Sequence, residues 1–414
     1  MYELNLSKEQ KILLNCVAMG LSETPETLLL SPTDLQGADW ETVVKEGLAQ
    51  TVSMLAFDAA KAYKDYIPQE VYAKWKNLFL QGYAVNVRVQ QAQAELAQLM
   101  SEQGFSYVVI KGESSAAYYN NPELRALGDV DFLIDTSKQA EIENALVQAG
   151  YEKDGMAHIS HVIFKKPAAH LEMHFQIPGI PVGEKGQKVR EFIKDAATSG
   201  VKKQGGLTEF SAPTDEYHGI IILLHMQHHN LNDGMGLRHL CDWATYLQKT
   251  HEQPFWEERL LPLMREIGIL KYASVVTKLC AKYLGTVCPE WAKDAEDELC
   301  DGLLADTFLG GNFGRKDNER ARSGALIAQK GEKQRGPIAT LAVSLHRAIV
   351  LKYPIVKKVW ILYPFIYVWK VIKNLFQMLT GKKVSIGKMI PKAQERKALY
   401  DRLEVFEETE DEKE

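Results

Sequence analysis

The chain has little cysteine, and what it has is scattered. Among 414 residues, Cys16, Cys241, Cys280, Cys288 and Cys300 form no C-x-x-C pair. An odd, dispersed set in a long chain argues against a disulfide framework or a zinc knuckle and reads as reduced, buried thiols. No uninterrupted apolar run reaches the ~18 residues that a spanning helix needs. The start, MYELNLSKEQKILL, lacks a basic stretch followed by an apolar core and a small-residue cleavage site, so a cytoplasmic protein is expected. Compositional bias is missing too. The chain is 46% hydrophobic and 25% charged with 29 Gly and 15 Pro, which leaves ample material for a core. A net charge of −5 makes the chain a poor candidate for a general nucleic-acid coat, although a local basic patch could still bind a polyanion.

Acid is missing from one region. From Val343 to Lys392 there are Arg347 and nine lysines with no Asp or Glu, interleaved with Tyr353, Trp360, Tyr363, Phe365, Tyr367, Trp369 and Phe376. Three readings fit: a helix packed on the protein with lysines as its wet face, peripheral contact with an anionic membrane, or contact with a polyanion. The apolar stretch 359–369 contains Pro364 and is too short to cross a bilayer. Residues 404–414 form an acidic tail.

Four regions follow from the patterning. Residues 1–103 read as helical: Ser7 and Gln10 form a capping box, another helix opens at Asp39-Trp40-Glu41 and runs to Ala59, and 71–103 is rich in strong helix formers. Residues 104–212 change character. Tyr107 to Ile110 is β-prone and ends at Lys111-Gly112. A short helix at 114–119 follows. Gly128 to Asp135 alternates polar and apolar, as a half-buried strand should. Next come a helix at 137–149 closed by Gly150 and a hairpin of 161–165 with 170–177. Residues 213–340 return to helix, broken at 231–234 and by the glycine-rich loop 310–315. Residues 341–414 hold the basic aromatic segment and the tail. The expected class is α+β: a small mixed-sheet core embedded between helical regions.

Three carboxylates carry the chemistry. Asp129 and Asp131 are two apart on a strand and leave one face. Glu172 joins them if the hairpin packs beside that strand. Such an oxygen-rich cage suits a hard cation, Mg²⁺ with Mn²⁺ as its substitute, shared with substrate phosphates. Alone, D-x-D is usually a solvated face. Here Phe132, Leu133 and Ile134 bury its strand, and Lys111-Gly112 stands before a helix start, where phosphate is favoured. Lys111 and Arg125 add positive charge.

At this point the stretch VVIKGESSAAYYNNPELRALGDVDFLID resembles the signature of the uncharacterised nucleotidyltransferases of the polymerase-beta-type superfamily. HLEMHF resembles their third acidic motif, and LLHMQHHNLNDGMGLRHLCDWATYL their helical region. The likeness spans residues 10–320. It implies a Mg²⁺-dependent nucleotidyltransferase core in which Asp129, Asp131 and Glu172 are catalytic and metal-binding. It also implies that Lys111, Gly112 and Ser114 face an NTP's phosphates. Arg238 would turn to the nucleotide, held by Asp242. The acceptor stays unread.

One departure stands out: Glu113 follows Gly112 where the superfamily has a small residue, which displaces the second small residue to Ser114 and sets a carboxylate near the phosphates. An alternative follows, a nucleotide-binding or adaptor protein that keeps the fold without turnover.

Other residues admit plainer readings. His225 and His229 have a zinc-compatible i,i+4 spacing, but H-E-x-x-H is absent, so core or interface histidines are expected. His174 shares the face of Glu172 and either orients it, touches a phosphate or is merely buried. Arg238 and Asp242, also i,i+4, would by default form a helix salt bridge. The loop 310–315 does not match a phosphate-binding loop and is read as ordinary.

Overall fold

The computed structural model describes residues 4–155, 160–167, 169–181, 183–232, 234–323, 349, 363–379 and 386–405. Helices α1 (Lys8–Leu21), α2 (Pro32–Leu35), α3 (Trp40–Ala49), α4 (Ser53–Ala60) and α5 (Gln69–Gln103) come first. The Ser7–Gln10 capping box forms, and Asp39 caps α3 through the Thr42 N–H. The run expected from Trp40 to Ala59 breaks in two, because Thr51 adopts φ 58° and turns the chain. At 35 residues, α5 is the longest described element, and it ends on Gly104 in the left-handed conformation that lets glycine close a helix.

The sheet follows: β1 (Tyr107–Val109), α6 (Glu113–Ala116), β2 (Val130–Ile134), α7 (Gln139–Gln148), β3 (Glu152–Lys153), β4 (His161–Lys166) and β5 (Ala169–His174). Spatial order is β1-β2-β5-β4-β3, with β2 and β5 parallel and the other pairs antiparallel. This is the small mixed sheet of an α+β fold. The expected hairpin is β4–β5, and it does pack beside β2.

The alternation of 128–135 misleads in one respect. All five β2 residues are buried. Val130, Phe132 and Ile134 enter an apolar cluster with Leu96 and Met100 of α5, whereas Leu133 enters the helical core on the other face. Asp131 shares Leu133's face by the two-residue period and so looks toward the helices.

Between sheet and helical region the chain adds α8 (Gly183–Phe192) and the hairpin β6 (Val201–Gln204) with β7 (Glu209–Ala212), none of which the patterning revealed. Then come α9 (Asp215–Asn232), α10 (Leu237–Thr250), α11 (Leu261–Glu266), α12 (Leu270–Leu284), α13 (Asp297–Gly310) and α14 (Asn318–Ser323). Residues of α1, α3, α4, α9, α10, α12 and α13 share one buried core.

Of the basic aromatic segment 343–392, the described parts are Ile349, α15 (Tyr363–Leu379) and the start of α16 (Ile386–Leu403); its remaining lysines and aromatics lie outside the described residues. Lys392 is not a free wet-face cation, since its Nζ pairs with Asp317 at 2.6 Å and Glu319 at 3.2 Å.

Candidate active site

Two strand ends and two helices converge on one cavity, lined among others by Lys111, Asp129, Asp131, Glu172, His225 and Arg238. Parallel pairing of β2 with β5 sets Asp131 directly opposite Glu172. Asp129 lies just before β2, two residues from Asp131. Asp129, Asp131 and Glu172 thus line the same cavity, from the entry to β2, from β2 and from β5.

Their neighbours treat them differently. Asp131 is 4% exposed, and its Oδ1 receives Lys111 Nζ at 2.6 Å and His174 Nε2 at 2.8 Å. Burial works to raise its pKa, but those two cationic donors win and hold it below the usual carboxylate range. Asp129 has no such partner among the described residues. Burial and then the like charge of Asp131 push its pKa up to about 6. Glu172 lies 3.6 Å from His174 Nε2; burial works to raise its pKa, but that contact together with the charges of Lys111 and His161 lowers it. His174 itself is fully buried. Desolvation disfavours its charge, yet Asp131 and Glu172 hydrogen bonds raise its pKa. It serves the carboxylates and is absent from the cavity wall.

The phosphate-side residues divide. Gly112 takes φ +57° as the chain leaves β1, a conformation L side chains rarely adopt, and only the Asp129 carbonyl comes near a Cβ built there. Lys111 and Gly112 both line the cavity. Ser114 does not: its hydroxyl turns back to the Val109 carbonyl, and Ser115 faces the cavity in its place. A helix start one residue earlier than expected accounts for the exchange. Glu113 also faces away from the cavity. Its carboxylate accepts from the Gly206 N–H at 2.7 Å and from Gln93, and burial raises its pKa.

The helical wall is cationic. Arg125 reaches it, but its guanidinium grips Asp242 through two bonds of 2.7 Å, and Tyr119 donates to the same carboxylate at 2.7 Å. Asp242 therefore holds Arg125, not Arg238, and the expected helix salt bridge does not form. Arg238 is left with the Ala126 carbonyl at 3.4 Å and the Phe313 ring at 5.8 Å. It has no carboxylate partner among the described residues. Burial, and then the charge of Arg125, lowers its pKa.

His225 and His229 are joined by His239 from α10, their ligand nitrogens lying within 4.8 Å of one another. Lys111 Nζ sits 3.0 Å from His225 Nε2, so a second positive charge there would meet an ammonium. Desolvation leads in holding His225 and His239 well below the ordinary histidine pKa. His225 and His239 are buried and His229 half-buried, and all three line the cavity.

Sequence reasoning missed Ser115, His239 and Phe313. His239 follows Arg238 directly, and Ser115 follows Ser114, so neighbouring positions gave the only signal. Phe313 belongs to the loop read as ordinary, and nothing local marks it.

A family model described as "Uncharacterised nucleotidyltransferase" matches residues 36–285. No curated protein matches the chain. Among solved structures, an antigenic nucleotidyltransferase-like protein from Paracoccidioides brasiliensis is similar at 12% identity, covering 48% of this chain and 93% of its own, with a TM-score of 0.30.

Proposed function

The chain belongs to the uncharacterised nucleotidyltransferase family, and from that premise we propose that it moves a nucleoside monophosphate from an NTP to an acceptor hydroxyl or phosphate. The observation that supports this reading is the pairing of Asp131 with Glu172 across β2 and β5, beside Asp129 and facing a guanidinium, Arg238, without a carboxylate partner. The donor set fits a hard cation, being carboxylate oxygens, one of which already draws the Lys111 ammonium to 2.6 Å. Asp129, Asp131 and Glu172 would hold Mg²⁺, with Mn²⁺ as its substitute, which when bound neutralises charge on the phosphoryl oxygens.

The chain's own groups do the rest. Arg238 and Lys111 bind the phosphates, and a lone guanidinium in a partly dry wall gains most from such a partner. Gly112 lets a phosphate approach the backbone. His174 fixes the orientation of Asp131 and Glu172. Glu172 takes the proton of the acceptor hydroxyl as its oxygen bonds to the α-phosphorus. The bond from that phosphorus to the bridging oxygen breaks, and pyrophosphate leaves.

The rival reading, a nucleotide-binding adaptor without turnover, drew on Glu113, and that carboxylate faces α5 and the β6–β7 turn instead. The test is pyrophosphate release from each NTP with Mg²⁺, in cell extract depleted of small nucleotides as the acceptor source. Wild type releases pyrophosphate and Asp131→Asn does not, with unchanged circular dichroism. Equal release by the variant would contradict the metal-binding role.

A further inference from the structure

Helix α15 presents an apolar stripe to solvent. Phe365 is 71% exposed, Val368 55%, Trp369 49% and Ile372 59%. Their spacing is i, i+3, i+4, i+7, so they share one face about 100° wide. The sequence continues that spacing with phenylalanine at 376 and leucine at 379. A soluble protein rarely leaves such a contiguous stripe in water unless something covers it. In this structure the described helices of the catalytic region do not.

The charge around the stripe identifies the cover. Positions 370 and 373 are lysine, and Lys373 Nζ lies 4.9 Å from the Trp369 ring centre, at the edge of the apolar face. In sequence, 343–392 carries Arg347 and nine lysines with no anionic residue, and of these lysines Lys392 pairs with Asp317 and Glu319. A second copy of this chain would bring the same positive charge against itself. A neutral partner protein would leave the lysines without a role. An anionic lipid surface satisfies both features: acyl chains take the phenylalanine and isoleucine, headgroups take the tryptophan and lysines. At 17 residues the helix is about 25 Å long, short of the hydrocarbon thickness. No described helix is long and apolar enough to cross a membrane. It would lie along the surface.

We propose that α15 docks the protein peripherally on anionic membrane. The claim is independent of the nucleotidyltransferase reading. The test is flotation of the full chain with vesicles of phosphatidylcholine alone or with phosphatidylglycerol added, comparing wild type with Phe365→Glu/Ile372→Glu. Wild type floats with the anionic vesicles and not with pure phosphatidylcholine. The double variant loses about tenfold or more in vesicle partition, while its melting temperature and nucleotide binding match wild type. Raising salt weakens the wild-type interaction. Undiminished flotation of the variant, or no flotation of wild type on anionic vesicles, overturns the proposal. So does a wild-type dimer in light scattering that the double substitution dissociates, since the stripe would then be covered by a second copy.

Discussion

Two regions of this protein bury clusters of charge, and they balance it differently. Outside the cavity lining, Asp306 of α13 receives Arg320 of α14 at 2.6 and 2.9 Å, and Arg396 of α16 at 3.3 Å. Tyr400 donates to its other oxygen at 3.1 Å, and Arg396 donates to the Asn230 carbonyl at 2.6 Å. Each charge there meets its opposite inside the fold. In the cavity Lys111 pairs with Asp131 and Arg125 with Asp242, and charge is left over on each wall. On the sheet side Asp129 is pushed up to about 6, and on the helix side Arg238 has no carboxylate paired with it among the described residues. The first cluster closes on itself and ties three helices together. The second is complete only when something brings positive charge to one wall and negative charge to the other.

That contrast can be broken experimentally. The largest effect falls on turnover: Asp131→Asn should cost about 10³-fold or more in kcat, since it removes a charge at the reacting centre. Its melting temperature should move little. A variant that unfolds instead would place Asp131 with the structural cluster. Next comes Asp306→Ala, which removes the carboxylate that two buried guanidiniums share, while Arg320 keeps Glu395 at 3.1 Å. A loss of about 3–5 kcal/mol is expected in urea unfolding. A loss under about 1 kcal/mol would show that the network is solvated.

A third test uses a buried histidine on α9, the helix that also carries His225 of the cavity and Asn230 of the Asp306 cluster. His218 on α9 is 1% exposed and stacks on Tyr118 at 5.0 Å. Burial, then Lys203, lowers its pKa to about 3. The unfolded chain binds this proton near pH 6.5 and the folded chain only near pH 3, so stability falls as pH drops through that window. His218→Gln should flatten the acid loss by on the order of 3 kcal/mol, measured as urea unfolding at pH 7 and pH 4. Parallel curves for variant and wild type would show that His218 charges without penalty. The smallest effect concerns Arg238→Gln. It should raise the KM for NTP about tenfold, or about 1.4 kcal/mol, without loss of stability, because no carboxylate depends on it. A destabilised variant would mean that this cation is structural after all.

The sequence announced what is local and hid what is long-range. The D-x-D pair, the strand end at Lys111-Gly112 and the β4–β5 hairpin are short patterns with their own periodicity. Their residues line the cavity as a consequence of one unwritten fact, the parallel register of Asp131 on Glu172. Spacing failed where distant partners compete. Arg238 and Asp242 look like a helix pair, yet Arg125 takes both oxygens from 117 positions away. Alternation suggested a half-wet β2, because Asp131 is polar for chemistry and not for solvent. The region 178–212 gave no signal, since β6 reads Val-Lys-Lys-Gln and pairs with only four residues. Glu113 looked like a repulsive intruder and is instead a buried brace.

The account rests on the sheet's carboxylates taking a divalent ion together with a nucleotide. The direct measurement is isothermal titration of Mn²⁺ into the protein holding a non-hydrolysable NTP. Wild type should bind the ion, and Asp131→Asn and Glu172→Gln should each weaken binding about tenfold or more. Equal affinity in all three proteins would contradict it.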